Sequence, residues 1–82
     1  MTMTYPQRLD GWAAESGGSW RVYSQWHQVT GFERHLLWFG EARDRSGAVV
    51  AEVRDYKPEK VIHGEVNTAR RLWKALVTNR SE

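Results

Sequence analysis

Three histidines, His27, His35 and His63, are the first residues to weigh for chemistry, because imidazole serves both as metal ligand and as general base. A zinc site needs three or four convergent ligands. The strand pairing derived below puts His27 and His35 on opposite faces, and His63 lies in a connector beside Gly64, so no metal is assigned. Nucleophilic catalysis requires Ser or Thr beside His with an orienting acid. Ser24 with His35 is the one pair that the pairing brings near, and neither belongs to a sharp turn or a helix start that forms an oxyanion hole. Glu41 and Glu52 fall on opposite faces, and Asp44 belongs to a turn. Gly17-Gly18 follows no strand and lacks the lysine and hydroxyl of a phosphate loop. The chain is read as non-enzymatic, with no catalytic residues and no cofactor.

Residues suited to binding are better represented. Arg21, Tyr23, Trp38 and Arg54 gather on one side of a sheet in the expected pairing, with Tyr23 and Trp38 as cross-strand neighbours and Arg54 opposite Trp38. Flat aromatics framed by guanidinium groups suit either a protein hot spot or base stacking. The N-terminal segment, through Leu9 and Trp12, either folds over this face as a lid or leaves it free. A second group, Arg70, Arg71 and Lys74 with Asn67, shares the polar side of a C-terminal helix. Such a row can lie along phosphates, or it can be an ordinary solvated helix exterior.

The totals bound what must hold these residues in place. Eighty-two residues make one small domain, 1–82, with a single core. With no cysteine, disulfides and thiolate metal sites are excluded. Twelve Lys and Arg against ten acids give a net charge of +2, which permits a nucleic-acid partner without demanding one. The opening residues lack a basic region followed by an apolar run, and eighteen consecutive apolar residues occur nowhere; a cytoplasmic location is expected, with no membrane partner.

The elements follow from pattern and punctuation. Residues 1–5 are expected to be a flexible arm, after which Pro6 opens a short helix running through Leu9, Trp12 and Ala13. Glu15-Ser16-Gly17-Gly18-Ser19 breaks it. Ser19 to Gln28 alternates as a strand, with Trp20, Val22 and Trp26 on the drier side. A tight loop at Thr30-Gly31 would pair Val29 with Phe32, Trp26 with His35, Ser24 with Leu37 and Val22 with Phe39. The turn Asp44-Arg45-Ser46-Gly47 would pair Arg43 with Val49, Glu41 with Ala51, Phe39 with Val53 and Trp38 with Arg54. The sheet thus occupies 19–56, with Leu37, Phe39, Val49, Ala51 and Val53 in the core. Pro58 ends it. Residues 65–79 form a helix whose apolar stripe, Val66, Ala69, Leu72, Trp73, Leu76 and Val77, is expected on the dry side of the sheet.

The expected fold is therefore α+β: a three-stranded antiparallel meander packed against a C-terminal helix, with a short N-terminal helix completing an αβββα order. In layout this resembles the arm-binding domain of phage-type tyrosine integrases, with Gly18-Ser19-Trp20-Arg21-Val22-Tyr23 and Asp44-Arg45-Ser46-Gly47 similar to that family's strand opening and first turn. The order also resembles a double-stranded RNA-binding domain, although His63-Gly64-Glu65-Val66-Asn67 stands where that family has a lysine-rich helix start. Both resemblances imply a nucleic-acid partner. Small size, absent cysteine and high Trp content are also similar to inhibitors from phages and mobile elements, such as anti-CRISPR proteins, which implies a protein or nucleoprotein partner. The leading expectation is an inhibitor or adaptor that occludes a partner's surface, and the alternative is direct nucleic-acid binding. The half-apolar second face and free strand edges allow a monomer or a homodimer.

Overall fold

A computed structural model describes residues 2–80. It has the order α1 (Tyr5–Ser16), β1 (Ser19–Gln28), β2 (Arg34–Arg43), β3 (Val49–Tyr56), a 3-10 turn (Val61–His63) and α2 (Gly64–Arg80). The strands form one antiparallel sheet in the order β1-β2-β3, so the αβββα expectation holds. Among the described residues no helix is long and apolar enough to cross a membrane.

Helix α1 starts earlier and runs further than its sequence suggested. Thr4 caps it: its hydroxyl accepts a hydrogen bond from the Gln7 N–H, and the Gln7 side chain accepts one from the Thr4 N–H, a complete capping box that removes most of the expected arm. Pro6 sits in the first turn, where its missing N–H costs nothing. Gly17, in the left-handed region at φ 75°, closes the other end by donating to the Ala13 carbonyl.

Both helices pack on the same side of the sheet. The core joins Leu9 and Trp12 of α1 to Ala42 of β2, Ala51 of β3 and Ala69, Leu72 and Leu76 of α2. Leu72 and Thr68 of α2 lie directly over Gly40 of β2. Trp20 on β1 donates its indole N–H to Asp10 of α1 at 2.9 Å and fixes that helix to the sheet edge. The buried line of α2 runs through Thr68, Ala69, Leu72 and Leu76, while Val66 and Val77, expected in the stripe, are exposed. Thr68 is accommodated inside because its hydroxyl donates to the Gly64 carbonyl at 2.6 Å.

The strand register differs from expectation by one residue on β2. Strand β1 pairs Trp20 with Ala42, Val22 with Gly40, Ser24 with Trp38, Trp26 with Leu36 and His27 with His35. The tight two-residue loop is absent. Residues 29–33 form the turn instead, held by Val29 and Thr30 N–H groups donating to the Glu33 carbonyl and by the Thr30 hydroxyl accepting from Phe32 and Glu33. Beyond the second turn, Arg43 does pair with Val49, but a bulge then sets Ala42 against Ala51 and Glu41 against Glu52. A second irregularity leaves Arg54 and Asp55 together opposite Phe39, with Asp55 at φ 54°, and restores pairing at Trp38 with Tyr56. Because side chains alternate along a strand, the shift moves Trp38 and Leu36 to the helix side and Leu37 and Phe39 to the opposite side.

Trp38 lies beneath the start of α2, where Gly64 rests against its indole so closely that a Cβ at position 64 would overlap the ring. α2 begins there and proceeds over Gly40 toward Ala42. The distal part of the β1–β2 hairpin is therefore free of helix on both sides, which is why Trp26 is 62% exposed and Phe32 fully so. The projecting hairpin raises the radius of gyration to 14.0 Å, against about 12 Å for an average compact chain of this length.

The Gly64–Trp38 contact predicts that Gly64→Ala destabilises the protein by about 1–3 kcal/mol through overpacking. Gly11, in the exposed middle of α1 with nothing within 4 Å of its Cβ position, is the matching control. Gly11→Ala should stabilise by about 0.5–1 kcal/mol. Urea unfolding of the two variants checks both signs.

Candidate sheet-face binding site

Helices cover one side of the sheet, and the other side is open. Strand β1 places Arg21, Tyr23, Gln25 and His27 there, and β2 places His35, Leu37, Phe39, Glu41 and Arg43 opposite them. At its centre the Tyr23 and Phe39 rings stack with centroids 5.3 Å apart and planes 13° from parallel. The Arg21 guanidinium lies over the Tyr23 ring at 4.6 Å, on the way to Glu41. Its Nε donates to Glu41 at 2.8 Å. Arg43 reaches the same carboxylate through Nε at 3.3 Å and steadies itself on the Gly47 carbonyl at 2.8 Å. A continuous row, Arg43–Glu41–Arg21–Tyr23–Phe39, thus crosses the face. Each contact in it is short and orients the next side chain.

The electrostatics of this row are set by Glu41, which is only 17% exposed. The hydrogen bond from Arg43 is the largest influence on it, and with Arg21 it holds the carboxyl below the ordinary carboxylate range in spite of partial burial. Asp44, in the turn beside it, is lowered chiefly by the Ser46 hydroxyl, which donates to it at 2.6 Å, and by backbone N–H groups. Both carboxylates are ionised at neutral pH and serve as acceptors.

The residues expected to form one site divide into three places. Arg21 and Tyr23 are on the open face. Arg54 stands opposite Phe39 at the second bulge, and alternation past the core-packed Val53 turns it to the same side. Trp38 is on the helix side under Gly64, with its indole N–H buried and unpartnered among the described groups, so Phe39, expected in the core, is the aromatic partner of Tyr23. Arg70, Arg71 and Lys74 line a cleft beside Tyr56 at the far side of α2. The lid formed by Leu9 and Trp12 does not occur over the open face, since both are in the core on the opposite side.

The same shift rearranges the candidates for chemistry. His27 and His35 are direct cross-strand partners, and His35 Nε2 lies 3.2 Å from Glu33. The described residues contain no group of three His, Cys, Asp or Glu side chains able to hold a metal ion. Ser24 pairs with Trp38 on the helix side and is separated from His35. Glu41 and Glu52 face each other on the open side, with Glu41 engaged by two arginines.

Leu37 and Phe39, expected in the core, were missed as open-face residues because Leu36-Leu37-Trp38-Phe39 is apolar at both parities and gives no alternation to read. Comparison with known proteins yields no match: no family model, no curated protein and no solved structure is significantly similar to the chain.

The lowered Glu41 pKa carries a stability consequence. A carboxylate whose pKa is depressed by folding stabilises the fold above its unfolded-state value and loses that contribution as pH falls through the folded-state value. Wild type should therefore be more stable than Glu41→Gln at pH 7, and the difference should disappear in acid below the ordinary carboxylate range. Chemical unfolding of both proteins across pH measures it; a difference independent of pH would refute the ion-pair assignment.

Proposed function

We propose that the protein is a non-enzymatic binding protein, an inhibitor or adaptor that covers a surface of a larger protein or nucleoprotein complex with the open face of its sheet. The observation that carries this reading is that both helices pack on one side, leaving the Tyr23–Phe39 stack and its Arg21 frame bare. A small sheet ordinarily needs partial cover on both sides. Here the second side has Leu37, Phe39 and Tyr23 at its middle and, among the described residues, no element over them.

The chemistry of the face favours a protein surface as its target. Glu41 is shared by Arg21 and Arg43, and with Glu52 adjacent the two carboxylates offset all but one of the three arginines on this side, Arg21, Arg43 and Arg54, so the face projects little positive field to attract phosphates. Aromatic rings and a fixed guanidinium at the centre of a polar rim are the composition of protein hot spots. The distal hairpin lengthens the surface past the helices through His27 and His35 on the open side and Phe32 at the tip, while Trp26, with Arg34 over its ring at 4.9 Å, is exposed on the reverse side of the same hairpin. A compact chain that occludes rather than reacts matches the working mode of mobile-element inhibitors such as anti-CRISPR proteins, which is the form of this function we favour.

Affinity purification from source-cell extract, using wild type, Leu37→Glu and Lys74→Glu, tests the reading. A partner held through the open face should be retained by Lys74→Glu and weakened about 30-fold or more by Leu37→Glu, the equivalent of a hot-spot loss of about 2 kcal/mol. Circular dichroism checks that Leu37→Glu, a change at a half-buried position outside the core, keeps the fold. Undiminished capture by folded Leu37→Glu would exclude the sheet face.

A further inference from the structure

We propose that the groove between the end of β3 and the outer side of α2 is a binding site for the sugar-phosphate backbone of a nucleic acid, a function separate from that of the open sheet face. Two adjoining hollows, of about 320 and 450 Å³, share Tyr56, Asn67 and Arg71 in their walls. Helix α2 adds Arg70 and Lys74 to the first, and the segment after β3 adds Lys57, Lys60 and His63 to the second. Sequence pattern alone showed only the helix half of this arrangement. The fold brings two further lysines to it from the chain leaving β3.

Charge is concentrated here to an unusual degree. Lys57, Lys60, Arg70, Arg71 and Lys74 face a single acid, Glu59, so the walls carry +4 in a chain whose net charge is +2, and the remainder of the molecule is net −2. None of the five cations is in an ion pair with a carboxylate among the described residues, whereas Arg21 and Arg43 on the open face both are. Arg71 is already placed, with its guanidinium 4.0 Å from the Tyr56 ring centroid, which lowers the ordering cost of using its donors. Arg70 and Lys74 are one helical turn apart, about 6 Å along the axis, and present a row of cations rather than a single point.

The lining decides between the two classes of polyanion. Apart from the Tyr56 ring, which Arg71 occupies, the groove is polar or charged throughout, so it lacks the desolvated apolar centre that a protein partner would use. Wet cationic surfaces with Arg, Lys and Asn donors are how proteins hold phosphates and sugars. With no free aromatic to stack on a base, binding is directed at the backbone and is independent of sequence.

Fluorescence anisotropy of the 82-residue chain with labelled DNA and RNA duplexes, between about 50 and 200 mM salt, tests this. Saturable binding should weaken steeply with salt in each duplex sequence alike. The double variant Arg70→Gln/Lys74→Gln should lose at least tenfold in affinity at low salt and reduce the log–log salt slope by about 2, one for each phosphate contact removed. Leu37→Glu should bind as wild type does, which separates this site from the open face. Absence of binding at low salt, or a double variant as tight as wild type, would overturn the proposal. A labelled poly-glutamate peptide binding as tightly as the duplexes would overturn it too, and would reassign the groove to acidic proteins.

Discussion

One residue of register between β1 and β2 decides what each side of the sheet presents. With Tyr23 opposite Phe39, the even-numbered side of β2, Trp38, Gly40 and Ala42, is flat enough along Gly40 and Ala42 for α2 to lie close, and Trp38 closes the end of the contact under Gly64. The odd-numbered side then carries Leu37, Phe39 and Glu41 into the open. The other pairing would put Phe39 where Gly40 admits Leu72 and Thr68, and would turn Trp38 away from Gly64, whose missing Cβ leaves room for the indole. Helix packing and strand register are therefore a single constraint, and the two surfaces of the protein are its consequence.

That constraint also explains the division of the molecule into distinct chemical regions. The open face is aromatic and its charge is largely offset within it, because Glu41 is shared by Arg21 and Arg43 and Glu52 lies opposite Glu41. The groove beside α2 is cationic, and among the described residues none of its five Lys and Arg side chains is paired with a carboxylate. Its composition depends on the bulge at Arg54-Asp55, which returns Tyr56 to the helix side, where Arg71 rests on it, and directs Lys57 and Lys60 along the same wall. Local irregularity in β3 thus builds the groove, just as regular pairing of β1 with β2 builds the face.

Much of the fold was legible in the sequence because its signals were local: the alternation of Ser19 to Gln28, the Asp44–Gly47 turn, Pro58 as a stop, and the spacing of Ala69, Leu72 and Leu76. The register was not, since it hung on reading Thr30-Gly31 as a two-residue turn, and β2 is apolar at both parities from Leu36 to Phe39, so hydrophobic alternation offered no correction. The two β3 irregularities had no signal in residue type, apart from an aspartate that tolerates positive φ. As a result Arg21, Tyr23 and Arg54 were placed correctly on the open side, while Trp38 and Phe39 exchanged roles. The basic groove was half visible, as a helix face, because its other wall comes from a different part of the chain.

The nuclear Overhauser contacts of Trp38 and Phe39 test the central claim most directly. The account predicts that the Phe39 ring shows contacts to the Tyr23 ring, and that the Trp38 indole shows contacts to the α-protons of Gly64. A Trp38 indole in contact with Tyr23, with no contact to Gly64, would contradict it.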